Sequence, residues 1–372
     1  MNAAAPTAPT TGNEQRPPSR PGAIAGRWNA PRTLLGLVVA LTVVALVAAG
    51  RGAVPIAPGD VLRTLLHGFG FAGDADVSES AQRVLWHLRF PRVALAIVAG
   101  AALAVSGAAL QGLFRNPLAD PTLIGVSFGA AAGAATMIVL GHHIALPAWF
   151  SRTWLLPAGA FTGGLLATGL AYLLSAASRD RGVAALLLAG IAVNAAASAL
   201  LGLYSHIADD AQLRNISFWN LGSLGAASPS TLGVVALIAL PATLGLLKLA
   251  PQFNALALGE AAAQHLGVNV RRLKTISVIL IAACVGAVTA VTGVIVFVGL
   301  VVPHALRFVL GPDHRWLMPA AAVGGAALVT AADLTARTLL APAELPIGIV
   351  TAFIGVPFFA ALLIHSGRRL GP

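Results

Sequence analysis

Charge is scarce in this sequence: 10% of its 372 residues are Asp, Glu, Lys or Arg, while 57% are hydrophobic. A soluble domain of this length needs far more polar surface, so that class is excluded and an integral membrane protein remains. Cysteine is nearly absent. The single Cys284 lies mid-span without a partner for a disulfide or metal site, which marks it as core filling. The only lysines are Lys248 and Lys274, and neither sits in a Gly-rich Gly-Lys-Ser/Thr loop, so the chain brings no such nucleotide site of its own. No H-E-x-x-H pattern occurs, which leaves an intramembrane zinc protease without support. Ionisable residues are also rare inside the apolar runs. Asp333, Arg337 and His304 do not make a convincing set for a proton- or sodium-coupled carrier.

Long apolar runs are what the chain does have. A bilayer core of about 30 Å takes roughly 20 residues of helix. Ten segments qualify: 33–49, 93–112, 123–141, 154–177, 184–204, 232–249, 275–291, 294–310, 317–339 and 347–365. The run 275–310 is two spans long without a polar break, and Thr292–Gly293 is the expected division. The strings GAALAVSGAALQG (100–112) and GVSFGAAAGAA (125–135) place small residues three and four apart, as closely packed membrane helices require. The expected fold is therefore all-α, an integral membrane protein of about ten transmembrane helices.

Residues 1–32 are rich in Pro, Ala and Thr and contain too few apolar groups to fold, so they read as a disordered basic tail ahead of a transmembrane domain over 33–372. Tail and first span could also form a long signal peptide; a run of about 17 apolar residues favours an uncleaved span. With the tail inside, fifteen basic and five acidic residues lie on the inner side, and eight of each lie on the outer side. The whole net charge of +10 is then cytoplasmic, which follows the positive-inside bias and places both termini in the cytoplasm. Charge placed this way speaks for a membrane surface and against a nucleic-acid partner.

One loop departs from the apolar pattern. NALALGEAAAQHLG, from Asn254, has helix formers and ends at Gly267, so a single helix is expected there. Leu256, Leu258, Ala262 and Leu266 form its apolar face, with Glu260 and Gln264 beside it. Such a helix suits either a partner's groove or the membrane surface.

GEAAAQHLGVNV (259–270) resembles the coupling segment of permease subunits in the ABC importer family for cobalamin, ferric siderophores and haem. The match extends over nearly the whole chain after the tail. It includes LRFPRVALAIVAGAALAVSGAALQGLFRNPLADPTLIGVSFGA, LLLAGIAVNA, FVGLVVPHALRFVLGPDHR and AELPIGIVTAFIGVPFF. The resemblance implies a type II importer permease bundle and a second copy of the permease. It also implies two copies of a separate ABC ATPase that holds the ATP and magnesium, with no cofactor on this chain. The coupling segment is then 252–272, with Leu258, Gly259, Glu260, Ala263, Leu266 and Gly267 docking on the ATPase. Arg89, Arg92 and Arg337 match arginines that receive acidic residues of a periplasmic binding protein. Gly182, Val183 and Ala184 fall where the family has its cytoplasmic gate. The resemblance implies a multi-pass protein of the bacterial inner membrane, non-catalytic itself. HIADDAQLRNISFWNLGSLG (206–225) is most similar to the haem-transporting branch, so the expected cargo is haem, with ferric siderophore and cobalamin as alternatives. His206 has no second ligand at metal spacing; the adjacent His142 and His143 could meet haem iron or simply be solvated. A membrane scaffold recruiting cytoplasmic proteins is the alternative that involves no transport.

Overall fold

The computed structural model describes residues 30–52, 55–71, 77–178 and 183–367, and every regular element among them is helical. Helix α1 (Ala30–Gly50) is followed by the short helices α2 (Pro58–Gly68) and α3 (Glu79–Val84). A π-helical turn over Leu85–Arg89 joins α3 to α4 (Phe90–Phe114), making one continuous run. Next come α5 (Val126–Leu140), α6 (Leu155–Ala177), α7 (Val183–Ile207), α8 (Asp210–Leu221) and α9 (Pro229–Lys248). Two short helices, α10 (Ala250–Ala257) and α11 (Glu260–His265), lead into α12 (Val270–Thr292). The chain ends with α13 (Val298–Leu310), α14 (His314–Thr338) and α15 (Ile347–Gly367).

Each of the ten expected segments coincides with a helix. Seven described helices are long and apolar enough to cross a membrane; α13 and the 347–362 part of α15 are apolar but shorter. Of the tail, all but Ala30, Pro31 and Arg32 lies outside the described residues. Those three already belong to α1.

Helix α4 is the axis of the bundle, almost wholly buried and packed on α14, α9, α13 and α12. Small residues make that possible. A Cβ on Gly100 would collide with the Gly325 carbonyl of α14, and one on Gly107 with the Gly299 carbonyl of α13. Gly129 and Gly133 of α5 likewise face Gly159 and Gly163 of α6. In lipid, where no water is expelled between helices, such backbone contact is the main source of cohesion. Helix α1 lies at the edge, exposing Leu35, Val39 and Val43, and buries only its last residues.

The expected division between α12 and α13 falls at Gly293, whose φ of 68° ends the helix. Helix α13 restarts at Val298, so 294–297 run unwound between the two. Nonhelical backbone at this depth needs protein partners. Just before it, the Thr292 carbonyl at the end of α12 accepts from the Ser223 amide at 2.7 Å.

Candidate functional site

Arg92 and Phe114 lie 22 residues apart on α4, about 33 Å at 1.5 Å per residue, which matches a bilayer core. The two candidate interaction regions occupy these opposite ends.

At the Phe114 end, the inner one by the charge count, α9 runs into α10 with only Leu249 between them. Phe253 and Leu256 turn inward and are fully buried. The single helix expected over 254–266 is instead two, because Gly259 adopts φ 111°, a conformation that L side chains rarely take. The break redistributes the expected apolar face. Leu256 joins the core, whereas Leu258 and Leu266 are 70% and 63% exposed. Ala263 is fully buried beneath α11. Gly267 ends α11 as expected, in a Schellman arrangement: its N–H donates to the Gln264 carbonyl and the Val268 N–H to the Ala263 carbonyl. Asn269 then caps α12, accepting from the Arg272 N–H at 2.9 Å.

Glu260 is tied within the chain. Lys274 Nζ donates to its Oε1 at 2.7 Å, strapping α11 to α12. A cleft of about 470 Å³ lies beside this strap, lined by Phe114, Leu173, Val183, Gln264, Arg271 and Lys274. Val183 and Ala184 open α7 there, while Gly182 lies outside the described residues.

A second tie at this end links Asn254 to the start of α14. Asn254 Oδ1 accepts from the His314 backbone N–H at 2.9 Å and lies 2.9 Å from His314 Nδ1. Its amide nitrogen donates to Asp313 Oδ1 at 2.6 Å. Asp313 also accepts from the Arg315 N–H at 3.0 Å and so caps α14. Partial burial works against the Asp313 carboxylate, but the Arg315 and Asn254 donors outweigh it and hold its pKa below the ordinary value. Sequence reading did not single out Asn254 or Asp313, because their partnership spans 59 residues of chain.

At the Arg92 end, the outer one by the charge count, Arg89, Arg92 and Arg337 come together, but their guanidinium groups are already engaged within the chain. Arg89 is buried and donates to the Ala49 and Gly50 carbonyls at 2.8 and 3.0 Å. Arg337 donates to the Arg51 and Ala48 carbonyls. The two arginines thus cap the C-terminal carbonyls of α1, the favourable end for a cation. Arg92 Nε reaches both Asp333 oxygens at 3.0 and 3.2 Å, and its two other nitrogens reach Glu344 at 3.0 and 2.9 Å. Asp333 is buried and also pairs with Arg337 at 3.3 Å. The cluster is therefore an internal staple across α1, α4 and α14, with Glu344 its half-exposed member.

Elsewhere, a cavity of about 630 Å³ is lined by Asn220, Leu221, Val294, Val296, Phe353 and Pro357, and is almost entirely apolar. His142 and His143 are exposed with ring centroids 3.8 Å apart, and no group of three potential metal ligands occurs among the described residues. The string GVSFG at 125–129 has the spacing of a serine elbow, yet Ser127 is buried near the start of α5 and no hydrogen bond to a histidine is seen there among the described residues. Cys284 is buried against Thr243, as core filling requires.

Residues 37–365 match the model of the FecCD transport family. The chain is 46% identical, over 91% of its length and 97% of the relative's, to the hemin transport system permease protein HmuU of Yersinia pestis. It is 37% identical, over 91% of its length and 95% of the relative's, to the vitamin B12 import system permease protein BtuC of Klebsiella pneumoniae. A solved metal-chelate type ABC transporter in an inward-facing conformation superposes with a TM-score of 0.78 at 32% identity, over 90% of this chain and 99% of that one.

Proposed function

The chain belongs to the FecCD transport family, and from that membership we propose that it passes haem across the bacterial inner membrane as the permease of an ATP-driven importer. The observation that carries the cargo is the 46% identity with a hemin permease over 91% of the chain, against 37% with a vitamin B12 permease over the same share. The 630 Å³ apolar cavity supports it, since a large, partly apolar chelate suits such walls better than a bare ion.

In this reading two ATPase subunits dock on the coupling segments of two permease copies, and ATP and magnesium stay on the ATPase. Leu258 and Leu266 are the apolar contacts. Gly259 and Gly267 set the backbone that presents them, and Ala263 and Glu260 hold α11 on the bundle. Val183 and Ala184, with Gly182, form the cytoplasmic gate. Both termini lie in the cytoplasm. A periplasmic haem-binding protein docks at the outer staple. There Arg92 is the contact residue, because an incoming carboxylate can replace the half-exposed Glu344 on it. Arg89 and Arg337 keep α1 in place while this happens.

Hemin transport in proteoliposomes holding this chain and its cognate ATPase, with the binding protein supplied, tests the proposal. Movement that needs both ATP and the binding protein is expected. Movement of a ferric siderophore or cobalamin in its place discards the cargo, and no ATP-dependent movement of any cargo favours the scaffold.

A further inference from the structure

We infer that the α4–α14 pair is the lever joining the two ends of this permease, and that Asn254 is the positioning residue that fastens the coupling segment to it. The inference rests on the permease reading above and adds a route by which one docking face acts on the other.

Three observations carry it. First, α4 and α14 each run the depth of the bundle and touch backbone to backbone at Gly100 and Gly325, where neither helix leaves room for a Cβ. Packing this dense transmits strain from one helix to the other rather than absorbing it. Second, the pair is tied at its outer end by Arg92 of α4 on Asp333 of α14, at the proposed binding-protein face. Third, at its inner end the His314 ring packs on the backbone of α4, so closely that a Cβ on Gly112 would lie 2.6 Å from Nε2.

Asn254 connects that inner end to α10. A single amide oxygen faces both the backbone N–H and Nδ1 of His314, so the ring carries its proton on Nδ1 and donates. The amide nitrogen of Asn254 holds Asp313, the cap of the same helix. Phe253 packs against the His314 ring with centroids 5.7 Å apart. Among the described residues, the side-chain hydrogen bonds joining α10 to α14 and its cap all pass through Asn254. The strap on α11 leads elsewhere, to α12 through Lys274.

Spatial continuity alone is not coupling, so the test reads coupling directly. The complex of this chain with its ATPase is reconstituted, and three quantities are measured: binding-protein affinity, basal ATP hydrolysis, and the stimulation of hydrolysis by the binding protein. Asn254→Ala is expected to cut the stimulation about fivefold or more while affinity and basal rate stay near wild type. Asn254→Asp sets two carboxylates against each other and is expected to do the same. Adding Asp313→Asn reverses the pair: the new carboxylate accepts from His314, and the new amide donates to it and still caps α14. Stimulation recovered in this double variant supports the lever. Wild-type stimulation in Asn254→Ala overturns it. If Asn254→Ala does not assemble, Asn254→Asp and the double variant decide, and equal stimulation in both overturns the lever. A wild-type complex that neither binds the binding protein nor hydrolyses ATP overturns the permease reading itself.

Discussion

Single residues at the two ends do different work from what their type suggests. Among the described residues, Arg92 is the only cation that meets both Asp333 and Glu344 at hydrogen-bond distance. Removing it leaves the buried Asp333 with Arg337 alone, and breaking a buried ion pair costs about 3 kcal/mol or more. Arg92→Ala is therefore expected to lower the melting temperature in detergent clearly. Glu344→Gln removes a half-exposed partner and should cost less than about 1 kcal/mol. The pH dependence has a definite sign. The hydrogen bond from Arg92 holds the Glu344 pKa below its ordinary 4.5, against some burial. A depressed folded pKa stabilises the fold fully above the ordinary value and loses that contribution as pH falls through the folded one. The melting gap between wild type and Glu344→Gln should thus stay constant from about pH 6 to pH 8 and close only in acid. A gap that shrinks within the neutral range contradicts this assignment. Glu260 gives a matching test at the inner end. Glu260→Arg faces Lys274 with a like charge, and ATP-driven uptake should fall while membrane insertion is unchanged. Lys274→Glu added to it should restore uptake if the strap is what matters, and should not if Glu260 contacts the ATPase.

Among the elements, α10 and α11 show where sequence patterning stops short. Helix formers and a terminal glycine are legible in 254–267, and the stop at Gly267 follows from them. The break at Gly259 is not, because an isolated glycine is tolerated inside a helical pattern and only tertiary packing decides. Burying Leu256 and Ala263 against the bundle forces the chain to turn there and leaves Leu258 and Leu266 outside. Leu258→Asp and Leu266→Asp should therefore abolish copurification of the ATPase without lowering the melting temperature of the permease. Ala263→Asp should lower that temperature, since it places an unpaired carboxylate where no water reaches. Retained copurification in the doubly substituted leucine variant removes this surface from the coupling site.

For the whole molecule, hydropathy and small-residue spacing sufficed for the ten helices and for the division at Gly293, because lipid imposes both rules on every span. The outer staple was legible only in part. Asp333 and Arg337 stand out as charges four apart in an apolar run, but Arg92 and Asp333 are 241 residues apart and no local pattern joins them. Orientation is a property of the whole chain and rests on the charge count alone. The lone Cys284 is fully buried, so the native thiol stays silent toward a membrane-impermeant maleimide and single-cysteine reporters read cleanly. Trp149, 83% exposed between α5 and α6, lies on the outer side if the count is right, and Leu258 lies on the inner side. Trp149→Cys should label in intact cells permeable only at the outer membrane, and Leu258→Cys only in inverted vesicles. The opposite pattern inverts the molecule, and with it the coupling segment moves away from any cytoplasmic ATPase. Labelling of both from one side breaks the span count between them, which the three helices α6, α7 and α9 otherwise fix through their alternating direction.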